Sequence, residues 1–168
     1  MNVSRTFEKW RFWIRAHNRH GIHSPFVYRF LDERLYRREY KKFQPQKRLL
    51  IAFVDYMTPR RAMASDPQSR MARWLRGERP GIRWEGPPTD LYICDTAGEE
   101  LLAFLDRPEL WGRDTAVFVG DLRKNHERMA YWDLATRHPA VRVILETYPG
   151  GLLLFRPQQA RQHFRIRI

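Results

Sequence analysis

"TAVFVGDLRKNHERMAYWDLATRHPAVRVILETYPGGLLLFRP", residues 115–157, decides the fold class. It opens with an apolar run ending in Asp121, the pattern of a strand buried on both faces. Residues 123–138 predict a helix, with Met129, Trp132 and Leu134 among its apolar members. "VRVILETYPGGLLLFRP" (141–157) comes next, and two β-rich runs around Pro-Gly-Gly predict an antiparallel hairpin. Upstream, "DLYICD" (90–95) is a second apolar run ending in aspartate, and "GEELLAFLDRPELWG" (98–112) predicts a helix between the two. The end, "HFRIRI" (163–168), alternates apolar and basic residues like a strand with one buried face. Helices and strands alternate, so the class is α/β.

The first third reads differently. Residues 4–19 predict a helix whose inner face is Phe7, Trp10, Ile14 and His17. "HGIHSPFVYRF" (20–30) then supplies Gly21 as a helix stop, Ser24 as an N-cap and Pro25 at the first helical position. A second helix is expected to run to about Phe43, broken by Pro45. A third spans roughly 46–57, turning Leu49, Leu50, Phe53 and Val54 inward. "RRAMAS" (60–65) is a short strand candidate. Ser65 or Asp66 is expected to cap a helix from Pro67 to about Arg76, and "IRWE" (82–85) is a weak strand signal. The expected organisation is an N-terminal helical cap, 1–58, ahead of an α/β core, 59–168.

The formal charge is +12, and residues 1–48 hold 13 Lys/Arg against 4 Asp/Glu. Such a basic third suits nucleic acid, an anionic membrane surface or an acidic protein. Trp10, Trp13, Tyr36 and Tyr40 offer stacking surfaces, although no nucleic-acid-binding motif is present. No apolar run approaches the roughly 20 residues of a membrane span. Charges throughout the N-terminus argue against a signal peptide, so a cytoplasmic protein is expected. Cys94 is the single cysteine, which excludes an internal disulfide and a cysteine-rich zinc site. His20 and His23 form an H-x-x-H pair, but two ligands are too few for zinc, so their expected role is polar packing at the helix–helix elbow. Asp121 is expected to be a strand-end or cap residue salt-bridged to Arg123 or Lys124, with no metal.

Two blocks carry a resemblance: "HGIHSPFVYRFL" with "LLIAFVDYMTPRRAM" after it, and the tail from Thr115 onward. Together they resemble a class I S-adenosylmethionine-dependent methyltransferase family of Bacteroidetes-type bacteria. The resemblance implies an abbreviated Rossmann-like sheet with a C-terminal antiparallel hairpin, and S-adenosylmethionine as the family's cofactor. The glycine-rich turn that lets backbone approach that cofactor is replaced here by "ASDPQSRMARWL" (64–75). Asp66 and Asp95 are the cofactor-binding candidates if the pocket survives. Glu85 matches only superficially the acid that would hold ribose. Roughly 18 Å separates the top of a full second strand from the foot of the fourth, and "GPPTD" (86–90) cannot cover that and turn at about 3.3 Å per residue. The second and third strands are therefore expected to be lost. The expected protein is a degenerate homologue without cofactor or catalytic residues, acting as a scaffold or binding protein and pairing with itself or another protein. An active methyltransferase with an altered pocket and a basic nucleic-acid-binding protein are the alternatives.

Overall fold

A computed structural model describes residues 3–16 and 22–168, with side chains from residue 6 onward in the first segment. The helices are α1 (Val3–Arg15), α2 (Pro25–Phe30), α3 (Pro45–Met57), α4 (Arg70–Glu78), α5 (Glu99–Leu105) and α6 (His126–Arg137). The strands are β1 (Ala62–Ala64), β2 (Thr89–Cys94), β3 (Trp111–Val119), β4 (Val143–Glu146), β5 (Gly151–Leu154) and β6 (Gln162–Arg165). They form one sheet in the order β1-β2-β3-β5-β4-β6. β5 pairs antiparallel with β3 and β4, while every other pairing is parallel, so β5 alone runs against the rest. This is an abbreviated Rossmann-like α/β fold, and the hairpin expected at 141–157 is its β4–β5 pair.

Strand alternation sorts the core into two layers. Leu91, Ile93, Ala116, Phe118, Leu145 and Leu152 face α2, α3 and α4. Tyr92, Cys94, Val117, Val119, Ile144 and Leu153 face α5 and α6. α3 lies wholly within the first layer: Leu49 to Val54 are all buried. Residues of both expected segments, 1–58 and 59–168, therefore share one apolar cluster.

Several elements depart from these expectations. Ser24 does cap α2, accepting from the Val27 N–H at 3.5 Å, with Pro25 following it. The helix does not continue to Phe43. It widens into a π-turn over Leu31–Leu35 and stops, because the Arg48 guanidinium takes the Leu35 carbonyl at 2.9 and 2.6 Å. Pro45 opens α3 at its first position rather than breaking a helix. α4 begins three residues later than expected, capped by Ser69 and not by Ser65 or Asp66. Residues 111–112, expected in a helix, begin β3. α1 is turned about: Phe12 and Ala16 are buried, while Phe7, Trp10 and Ile14 face solvent. His17, His20 and Gly21 lie outside the described residues.

"IRWE" is not a strand. It contributes a single parallel bridge, Arg83 to Arg61, on the outer side of β1. Glu85 lies two residues further on, pairs with Arg83 at 3.4 Å, and the chain enters β2 at Thr89. It stays near the amino end of the sheet because the connection is too short to climb.

Candidate functional site

In open α/β sheets, ligand chemistry gathers at the carboxyl ends of the strands. Here Asp66 follows β1, Asp95 follows β2, Asp121 follows β3, Glu146 ends β4 and Arg165 ends β6.

Asp95 is committed to the protein's own backbone. Its carboxylate accepts the Arg70 N–H at 2.8 Å and the Met71 N–H at 3.2 Å, and the Ser69 hydroxyl accepts the Ala72 N–H at 3.0 Å. These are the donors that the start of a helix otherwise offers to a ligand anion. Asp66 is exposed and closes its own turn, accepting from the Gln68 N–H at 2.8 Å. The ends of β2 and β3 also touch: a Cβ on Gly120 would stand 2.6 Å from the Asp95 carbonyl oxygen, so only glycine fits.

Asp121 sits in the left-handed region at φ 47°. Gln46 donates to it at 2.6 Å, and Arg128 stands 3.6 Å away. Arg128 supplies that ion pair in place of Arg123, which turns to a different carboxylate. Among the described residues no three His, Cys, Asp or Glu side chains gather as metal ligands would. His23 is exposed beside Ser24 and Arg156. Burial pushes the Cys94 thiol up to about 12, which leaves it a packing residue.

The charged centre of the carboxyl edge is a residue that no sequence motif singles out. The Glu146 side chain is 3% exposed, yet it meets Arg123, His163 at 2.7 Å and Arg165 at 3.6 Å. Burial alone would raise its carboxyl; the His163 hydrogen bond and the Arg123 charge override that and lower it to about 2. Arg123 also donates to the Thr147 and Tyr148 carbonyls at 3.0 and 2.8 Å. The available signal is an acid ending the apolar run "VILE", with "HFR" alternating two bases on a neighbouring strand.

α1 crosses above this cluster. Phe12 packs edge-on against Tyr148, with ring centroids 5.9 Å apart, and the Arg123 guanidinium lies 4.4 Å from the Phe12 ring. A cleft opens on each side of the helix. One, of about 630 Å³, lies between Glu8, Arg11 and Arg15 of α1 and the start of α6 at Asn125 and His126. The other, of about 580 Å³, lies between Thr6 and Lys9 and the Gln46–Asp121 pair. Neither Asp66 nor Asp95 lines either cleft. Five Arg/Lys side chains and three acids line the larger one, so it favours anions over cations.

A second polar cluster ties α4 to α3. Arg79 holds the Asp55 carboxylate with two contacts of 2.6 Å, and the Tyr40 hydroxyl donates to it at 2.9 Å. Burial, and then the Asp55 hydrogen bond, pushes Tyr40 up to about 12. No reacting group stands free there, and the cluster reads as a brace.

Compared with known proteins, the chain matches no family model, no curated protein and no solved structure.

Proposed function

We propose that the chain is a class I methyltransferase-like protein that has given up cofactor binding and works as a binding or scaffold protein. One observation carries the reading: the Asp95 carboxylate covers the first N–H groups of α4. That helix follows the first strand, where the resemblance implies a cofactor approached by bare backbone. Here a side-chain carboxylate occupies the approach and would repel the cofactor's own carboxylate. Beside β1, where the resemblance implies a second strand ending in an acid for the ribose, the chain makes the single Arg83 bridge, and Glu85 beyond it pairs with Arg83, which supports the reading. β5 lies antiparallel between β3 and β4, which is the final hairpin that the resemblance implies.

Calorimetric titration with S-adenosylmethionine and with its homocysteine product tests the proposal. The expected result is no heat at millimolar ligand. Binding near micromolar would overturn it and favour an active enzyme with an altered pocket.

A further inference from the structure

Six large apolar side chains are exposed among the described residues, and four stand on one face of α1: Phe7 (56%), Trp10 (59%), Trp13 (43%) and Ile14 (57%). Their direction is fixed by the opposite face. Phe12 is held against Tyr148 beneath the Arg123 guanidinium, and Ala16 is buried beside the core. A helix anchored by Phe12 must turn residues 7, 10 and 14 away from the protein, because they share the far side of its 3.6-residue turn. The apolar stripe is therefore a product of the packing that holds the helix down.

The charges next to the stripe say what covers it. Arg11 and Arg15, one turn apart, flank it on the side of the larger cleft, and Lys9 flanks it on the other. Arg11 and Arg15 make no ion pair with any described residue. An apolar ridge rich in tryptophan, bordered by cations on both sides, is built to lie in the plane of an anionic lipid surface. Indole rings settle at headgroup level, and the long cationic side chains reach up to the phosphates. A second copy of the chain fits poorly, because stripe-to-stripe pairing would bring the two sets of cations together. Nucleic acid fits poorly too, since it offers the aliphatic Ile14 no partner.

We propose that α1 docks the protein on anionic membranes, with Phe7, Trp10, Trp13 and Ile14 inserted to headgroup depth and Lys9, Arg11 and Arg15 on lipid phosphates. This stands on α1 alone and holds whether or not the sheet binds a cofactor.

The test uses the full chain with vesicles of phosphatidylcholine, alone or mixed with phosphatidylserine, read by co-sedimentation. Binding is expected on the mixed vesicles, weaker binding on the neutral ones, and a fall as salt rises. Replacing Lys9, Arg11 and Arg15 together by Gln should weaken binding about a hundredfold, at about fivefold for each cation near an anionic surface. The double variant Trp10→Ser, Trp13→Ser changes only outward side chains. It should keep the wild-type circular dichroism and melting temperature while losing binding. Absence of binding to mixed vesicles by the wild type, or equal binding by the double variant, would overturn the proposal. So would self-association or binding to single-stranded RNA that the double variant abolishes while vesicle binding persists.

Discussion

Replacing Glu146 by Gln tests whether the carboxyl edge is held together by one buried charge. The side chain is 3% exposed and takes contacts from Arg123, His163 and Arg165, so the carboxylate cannot be replaced by water. Its carboxyl falls from 4.5 to about 2 on folding. At 1.36 kcal/mol per unit, that is about 3 kcal/mol of stability linked to one ionisation. The folded value lies below the unfolded one. The contribution is thus complete above about pH 4.5 and is lost as pH falls through about 2. The variant should be less stable than wild type by about 3 kcal/mol near neutrality, because it leaves the partly buried Arg123 charge without its counter-ion. That figure measures the removal of one partner; a full apolar replacement of the cluster would cost less. Urea unfolding followed by circular dichroism, at a series of pH values for both proteins, gives the difference directly and cancels the other acids. The gap should close as pH is lowered from about 5 toward 2. A difference that stays constant across that window would refute the reasoning, and so would a variant as stable as wild type at neutral pH.

Gly151→Ala should be among the costliest single-methyl additions: the new Cβ would run into the Trp132 ring, which is fully buried. Overpacking of this kind costs about 1–3 kcal/mol, and a thermal melt should show a drop of about 2–4 °C for each of them. Cys94, its thiol raised to about 12 by burial, should resist alkylation at neutral pH in the native protein and react fully in denaturant; fast native labelling would contradict its place in the core. Asp95→Ala removes the acceptor of the Arg70 and Met71 N–H groups and should cost about 1 kcal/mol by urea titration, as lost helix caps do.

The sheet is legible wherever burial on both faces leaves an unbroken apolar signature, as in "DLYICD" and "TAVFVGD", and wherever turn chemistry is explicit, as at Pro149-Gly150. Helix ends are less so, because their stops are tertiary. Nothing local in "RLYRREY" says that Arg48, thirteen residues beyond Leu35, will take the Leu35 carbonyl. The orientation of α1 is hidden for a related reason. Periodicity finds an apolar stripe but not which way it points, and α1 carries two: the wide one with Phe7, Trp10 and Ile14, and the narrow one with Phe12 and Ala16. The core uses the narrow one. At the carboxyl edge, the aspartates Asp66, Asp95 and Asp121 are visible as strand ends, but the roles of Asp95 and Asp121 are set by donors far along the chain, such as Gln46 on Asp121. Glu146 shows the same strand-end signal, but nothing in "VILE" says that its carboxylate is buried against Arg123 and His163, because an acid in a hairpin strand ordinarily faces water.

A sheet that lacks the strands beyond β1 should expose a raw edge, and edges invite pairing with another chain. Here the chain closes that side itself. β1 is only three residues long. Its outer side takes the Arg83 bridge, in which the Ala62 N–H donates to the Arg83 carbonyl at 2.9 Å and the Arg83 N–H to the Arg60 carbonyl at 2.9 Å. The Arg76 guanidinium of α4 lies 4.3 Å from the ring of Trp84, next in the chain, so cover continues past the bridge. On the inner side, the Asp90 carboxylate of β2 accepts the Arg60 and Arg61 N–H groups at 2.9 Å each and ties the start of β1 to its neighbour. The far edge, β6, carries His163 and Arg165 held to Glu146, and charge there discourages strand addition. Neither edge therefore supplies the reason for a partner that a truncated sheet would suggest. Apolar surface is instead left open on α1, above the carboxyl ends of β3 and β4.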